Sequence, residues 1–197
     1  MKQIRQDIAE FKKINELDKV IILWTANTER FAVTSAVHES YESLMEGIKN
    51  DHPEISPSMI FALAAMEENC VFLNGSPQNT LCKGLTEVPG SKGILVGNDF
   101  KTGQTKFKTA FMDFLTGAGI KPKSCVSYNH LGNNDGKNLS SEKQFKSKET
   151  SKSECVKDIL DNSLLYKDET EYPDHTVVIK YVPTAGDTKK AIDEYTS

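Results

Sequence analysis

The chain has 197 residues, 38% of them hydrophobic, and a formal net charge of −4 at neutral pH. That length suits one domain or parts of two, and the negative balance supplies no overall positive field for nucleic acid. The four cysteines, Cys70, Cys82, Cys125 and Cys155, form no CxxC pair, which argues against a zinc ribbon or a disulfide framework and suits a reducing compartment.

The opening MKQIRQDIAEFKK is amphipathic and mixed in charge, without the apolar core of a signal peptide, and Ile4, Ile8 and Phe11 recur at helical spacing. No apolar run approaches membrane-spanning length, so a soluble, cytoplasmic protein with no membrane partner is expected. VIILW (20–24) is a short apolar run of β-branched and aromatic type, the pattern of a strand covered on both faces. Tyr41, Leu44, Met45 and Ile48 mark a second helix. Ser56-Pro57 reads as an N-cap followed by proline at the first helical position. CVFL (70–73) and GILVG (93–97) are further strands. From Gln104 to Thr116, Phe107, Phe111, Phe114 and Leu115 mark a helix that stops at Gly117 and Gly119. SCVSY (124–128) and HTVVIKYV (175–182) complete five strands. Strands alternating with helices predict an α/β fold with a mainly parallel sheet.

Each strand runs out into polar residues: TANTER, NGSPQNT, NDFKTGQTK, NHLGNNDG and PTAGDTKK. Ligands of open parallel sheets bind beyond the carboxyl ends of the strands, so five such exits favour a binding site over ordinary turns. The densest polar stretch is SYNHLGNNDGKN (127–138), with four asparagines and two glycines. It reads as a long solvated loop or as a loop whose amides wrap a polar ligand. Gly75 and Ser76 are small enough to let a ligand approach the backbone. Asp99 stands where a strand ends, as an N-cap or as a functional carboxylate.

The segment 138–154 is rich in Ser and Lys, and its composition alone suits a mobile basic stretch. Ser151-x-x-Glu154 matches a capping box, however, and predicts a helix start with Lys148 and Lys152 at an anion-binding N-terminus. Lysines crowded together lower one another's pKa and can exchange protons near neutral pH. GDTKK (186–190) adds Asp187 and Lys189 in a turn before an exposed helix start. His38, His52, His130 and His175 show no metal-ligand spacing, so each is read as structural and no metal is expected. The dinucleotide fingerprint GxGxxG is absent.

LWTANTER, LNGSPQNT, DFKTGQTKFK, AGIKPKSCVSYNHLGNNDGKNLS, FKSKETSKS and KYVPTAGDTKKAIDEYTS, in this order, resemble the inositol-3-phosphate synthase family, also called the myo-inositol-1-phosphate synthase family. The resemblance covers essentially the whole chain. It implies the C-terminal part of a Rossmann-type NAD-binding domain at 1–106, followed by part of an α/β catalytic and tetramerisation domain at 107–197. The family's chains extend further at both ends, so this sequence is expected to be an internal fragment or a truncated form, lacking the glycine-rich loop and one further lysine. GNDF stands where the family more often has GDDF, and KTGQ where it has KSGQ; Asp99 and the Thr102 hydroxyl survive both changes.

The resemblance further implies NAD-dependent isomerisation of D-glucose 6-phosphate to 1D-myo-inositol 3-phosphate by oxidation at C5, enolisation, aldol closure and re-reduction, in a homotetramer when full-length. An inactive fragment or an assembly partner of longer subunits is the alternative. By similarity, Lys148, Lys152 and Lys189 carry catalysis and Asp99 a proton relay. Thr25, Ala26, Asn27, Thr28, Gly75, Ser76, Asp99, Thr102, Asn133, Asn134, Asp135, Lys148, Gly186 and Asp187 match positions that contact NAD. The amide-rich stretch would then lie over the nicotinamide, where small misplacement is costly to hydride transfer.

Overall fold

The computed structural model describes residues 1–197 and divides the chain into two compact units, Met1–Phe100 and Lys101–Ser197. The first unit contains α1 (Lys2–Ile14), β1 (Ile21–Trp24), α2 (Tyr41–Lys49), α3 (Pro57–Glu67), β2 (Val71–Asn74), α4 (Lys83–Thr86) and β3 (Ile94–Gly97). Its three strands form a wholly parallel sheet in the order β1-β2-β3, in register from Ile21, Val71 and Ile94 to Trp24, Asn74 and Gly97. Parallel strands need crossovers, and α2 with α3, then α4, provide them.

The helix α3 starts where the Ser-Pro signal places it. Ser56 is the N-cap, its hydroxyl accepting from the Met59 N–H, and Pro57 opens the first turn. The helix is apolar on nearly all sides and packs into a core with Leu44, Leu63, Met66, Phe72 and Leu85. The opposite face of the sheet is bare. Ile21, Leu23, Ile94 and Val96 are all exposed, side by side in the strand register.

The second unit contains α5 (Gln104–Gly117), β4 (Ser124–Leu131), α6 (Asn134–Asn138), α7 (Glu142–Glu154), α8 (Lys157–Asp161), β5 (Asp174–Tyr181) and β6 (Lys190–Thr196). The sheet order is β5-β4-β6, with β4 parallel to β5 and antiparallel to β6. Along β4 the side chains of Cys125, Ser127, Asn129 and Leu131 are buried on one face of the sheet.

Four sequence expectations are corrected here. Lys190–Thr196 is a strand, not a helix start. The basic segment is not a mobile stretch; it forms α7, with Ser147 and Lys152 buried. The helix begins at Glu142 rather than Ser151, so Lys148 lies in its interior and Lys152 in its last turn, away from an anion-binding N-terminus. The helix marked by Phe107, Phe111, Phe114 and Leu115 is present as α5; its phenylalanines face outward, and its buried residues are Lys108, Met112 and Leu115. The amide-rich stretch is not one long loop either: β4 continues to Leu131 and α6 follows at once.

A parallel sheet is normally covered on both faces, and an apolar face of this kind favours association. Residues 1–197 produced alone should sediment as species that grow with concentration, and Leu23→Lys combined with Val96→Lys should reduce that growth. A concentration-independent monomer for the unaltered chain would contradict this.

Candidate functional site

In the first unit the carboxyl ends of β1, β2 and β3 share one edge, and the segments leaving them are stitched together. The Ser76 hydroxyl donates to the Ala26 carbonyl (2.8 Å), and the Asn79 amide both accepts from Ala32 N–H (2.8 Å) and donates to Ala32 C=O (2.9 Å). Gln78 Oε1 accepts from the Glu29 N–H (3.3 Å). The Glu29 carboxylate takes the Ser58 N–H (3.0 Å) and the Ser58 hydroxyl (2.5 Å) in the first turn of α3, where a negative charge is favoured. Much of the amide content of NGSPQNT is thus used to hold the 26–32 segment. Gly75 must be small for a neighbouring ring, since a Cβ there would lie 2.5 Å from Phe100. The residues left open at the edge are Thr25, Ala26 and Asn27, with Thr28 and Ser76 buried and Asp99 half-buried. Small, polar and exposed groups at strand ends fit the phosphates and sugars of a dinucleotide.

The second unit gathers lysines. Lys152 is buried at 4% exposure, and its ammonium donates to Gln104 Oε1 (3.2 Å). Gln104 Nε2 donates to Asp193 Oδ1 (3.0 Å), which also accepts from the Ser127 hydroxyl (2.5 Å). Burial first, then the charges of Lys189, Lys108 and Lys148, bring the Lys152 pKa down to about 8. Lys189 is lowered by burial of its ammonium and by Lys148, with Asp135 opposing. Lys148, Lys152, Lys189 and Asp135 therefore share one electrostatic neighbourhood. Two residues along β4 from Ser127, the Asn129 amide is buried with neither Nδ2 nor Oδ1 hydrogen-bonded. A buried amide left without a partner is costly.

The exits of β4 and β5 meet directly. Val182 N–H donates to Leu131 C=O (2.9 Å) and Gly132 N–H to Gly186 C=O (3.0 Å); a Cβ on Gly132 would lie 2.4 Å from the Val182 carbonyl. This brings Asn133, Asn134 and Asp135 beside Gly186 and Asp187. Asn133 caps α6, its side-chain oxygen accepting from the Gly136 N–H (3.1 Å), while Asn134 is exposed. Thr102 lies in the exposed turn that leads into α5.

A family model described as myo-inositol-1-phosphate synthase matches residues 1–182. The chain belongs to that family. The matching model is that of the family's NAD-binding domain, which makes NAD the cofactor of this fold. The inositol-3-phosphate synthase of Drosophila melanogaster is 54% identical over 197 residues, covering 99% of this chain and 35% of the relative. A probable inositol 3-phosphate synthase isozyme of Arabidopsis thaliana is 53% identical, covering 100% and 39%. The solved inositol-3-phosphate synthase of Caenorhabditis elegans superposes with a TM-score of 0.90 at 52% identity, over 98% of this chain and 38% of that one. The chain thus spans between 35% and 39% of the length of these synthases.

Sequence reading missed Gln104, Lys108, Asn129 and Asp193, and took His175 as a structural residue like the other histidines. Lys108 is 1% exposed and its ammonium lies 2.7 Å from His175 Nε2. Burial, then the Lys108 charge, pushes His175 down to about 4. The ring is neutral in the folded chain at pH values where it would be charged when unfolded, so stability should fall as pH drops from 6.5 to about 4. The His175 share is no more than about 3 kcal/mol, reduced by the residual exposure of the ring. Between pH 6.5 and about 4 the melting temperature of the parent should fall more steeply than that of His175→Gln; parallel curves would remove His175 as the source.

Proposed function

We propose that this chain carries the cofactor edge and the lysine site of an NAD-dependent isomerase that converts D-glucose 6-phosphate to 1D-myo-inositol 3-phosphate. The observation that carries the reading is the second-unit cluster: a buried lysine hydrogen-bonded to Gln104 and lowered to about 8 by burial and by Lys189, Lys108 and Lys148, with a buried, unpaired Asn129 amide on β4 of the same unit. Such a site suits a phosphorylated polyol. The ammonium groups balance the phosphate, and the amide supplies one donor and one acceptor to a hydroxyl. NAD would supply the hydride acceptor and donor; the residues we assign to it are the 25–28 and 75–76 segments with Asp99 in the first unit and, taken separately, Thr102, the 133–135 segment, Lys148 and the 186–187 turn in the second.

The chain's own groups then divide the proton work. Lys148 exchanges the C5 hydroxyl proton, and Asp99 is the residue of the first unit assigned to a proton relay. Lys152 is desolvated and partly neutral near pH 8, and serves the C6 proton while its protonated form stabilises the enolate oxygen. Lys189, exposed as a residue but with its ammonium partly desolvated, holds the phosphate and supports ring closure. Glucose 6-phosphate is the substrate, and the family-length protein works as a cytoplasmic homotetramer.

A second reading, a catalytically silent assembly partner of longer subunits, is favoured by the bare apolar face of the first sheet. An assay of inositol phosphate formation from glucose 6-phosphate separates the two. Turnover by a family-length synthase carrying these residues, but none by residues 1–197, supports the second reading for this chain. In the family-length protein, Lys148→Ala should lower turnover by about a hundredfold or more while NAD still binds. Near-normal turnover would remove Lys148 from the reaction.

A further inference from the structure

The lysine cluster has a member that no sequence motif points to. Lys108 lies on the inward face of α5, one turn after Gln104, and is 1% exposed. An ammonium only donates, so His175 Nε2, 2.7 Å away on β5, is the acceptor and its ring is neutral. Buried lysines are uncommon unless paired, and here the partner is an uncharged ring rather than a carboxylate. The positive charge is therefore held in place without being cancelled by that partner. The Lys152 ammonium is bound to Gln104 Oε1, so α5 presents both an acceptor and a fixed cation to the last turn of α7.

We propose that Lys108, seated on His175, is a positioning residue that acts through Lys152: it fixes a cation beside that amine and thereby sets how readily the amine gives up its proton. The proposal rests on the reading of Lys152 as a proton-exchange group. Lys108 lowers the Lys152 pKa more than its helix neighbour Lys148 does, after burial and Lys189. The other ionisable groups around the pair are Cys155 at the C-cap of α7, Cys125 on β4, and Asp193 and Tyr195 on β6, with Lys101 ahead of α5. The three uncharged groups among them cannot offset a cation: burial raises the Cys125 and Cys155 thiols and the Tyr195 hydroxyl, keeping them protonated. Asp193 is the one carboxylate of the set, and it is engaged by Gln104 and Ser127.

The test is a titration of the ¹³Cε signal of Lys152 in the 197-residue chain, assigned by its loss in the Lys152→Arg variant. Lys152 should titrate near 8. In Lys108→Met the Lys152 midpoint should rise by roughly half a unit or more, cutting its neutral fraction at the parent's midpoint about twofold or more; Lys108→Arg should leave the midpoint in place. An ordinary lysine value for Lys152 or an unmoved midpoint in a folded Lys108→Met overturns the proposal, and the first needs no charge-removing variant. These titrations do not depend on turnover. In a family-length synthase the acidic limb of the kcat profile should shift with the titration. A titration that behaves as expected beside a kcat profile that does not move would count against the role of Lys152, not against the coupling.

Discussion

Two ammonium groups kept from water within each other's field are the constraint around which the second unit is organised. Lys108 and Lys152 lose hydration on folding and repel one another, a combination that disfavours the compact state unless each finds an acceptor. The fold supplies His175 Nε2 to one and Gln104 Oε1 to the other. Gln104 is in turn oriented by Asp193, which requires β6 to lie antiparallel along β4 with Asp193 opposite Ser127. The last strand of the unit thus belongs to the support of a proton-exchange group as much as to the sheet. Desolvation brings an amine that is normally charged into the range where both of its forms are populated.

The strands, the opening helix and the start of α3 were legible because short β-branched runs and a Ser-Pro cap state local preferences that the tertiary structure does not override. The face of α5 was not legible. Three phenylalanines at helical spacing gave the stronger signal, yet the side turned inward is the one carrying Gln104 and Lys108. The hydrophobic effect alone would rotate the helix the other way, and polar contacts at Gln104 and Lys108 oppose it. The same competition hid α7. A run of serines and lysines has little apolar surface to bury, and its order comes from packing of Ser147 and Lys152 that composition does not reveal. Ser151 matched a capping box by spacing but sits within a helix that started three turns earlier.

Asparagine and glutamine proved ambiguous for a physical reason. An amide can satisfy backbone groups or a ligand, and sequence does not say which. Asn79 and Gln78 tie one loop to another, and Asn133 caps a helix. Asn129 does neither, and only the structure separates it from the rest. Of the motifs that carry the family resemblance, part serves to shape the rim and part to meet what binds there.

At Gly132 the backbone leaving β4 touches the turn that leaves β5 so closely that no side chain could stand between them. The loop bearing Asn133 to Asp135 and the turn bearing Gly186 and Asp187 are consequently welded at their roots. Neither can swing without dragging its neighbour, so any opening of the mouth on this side is a joint movement of both lips. A side chain at position 132 would therefore part both lips at once.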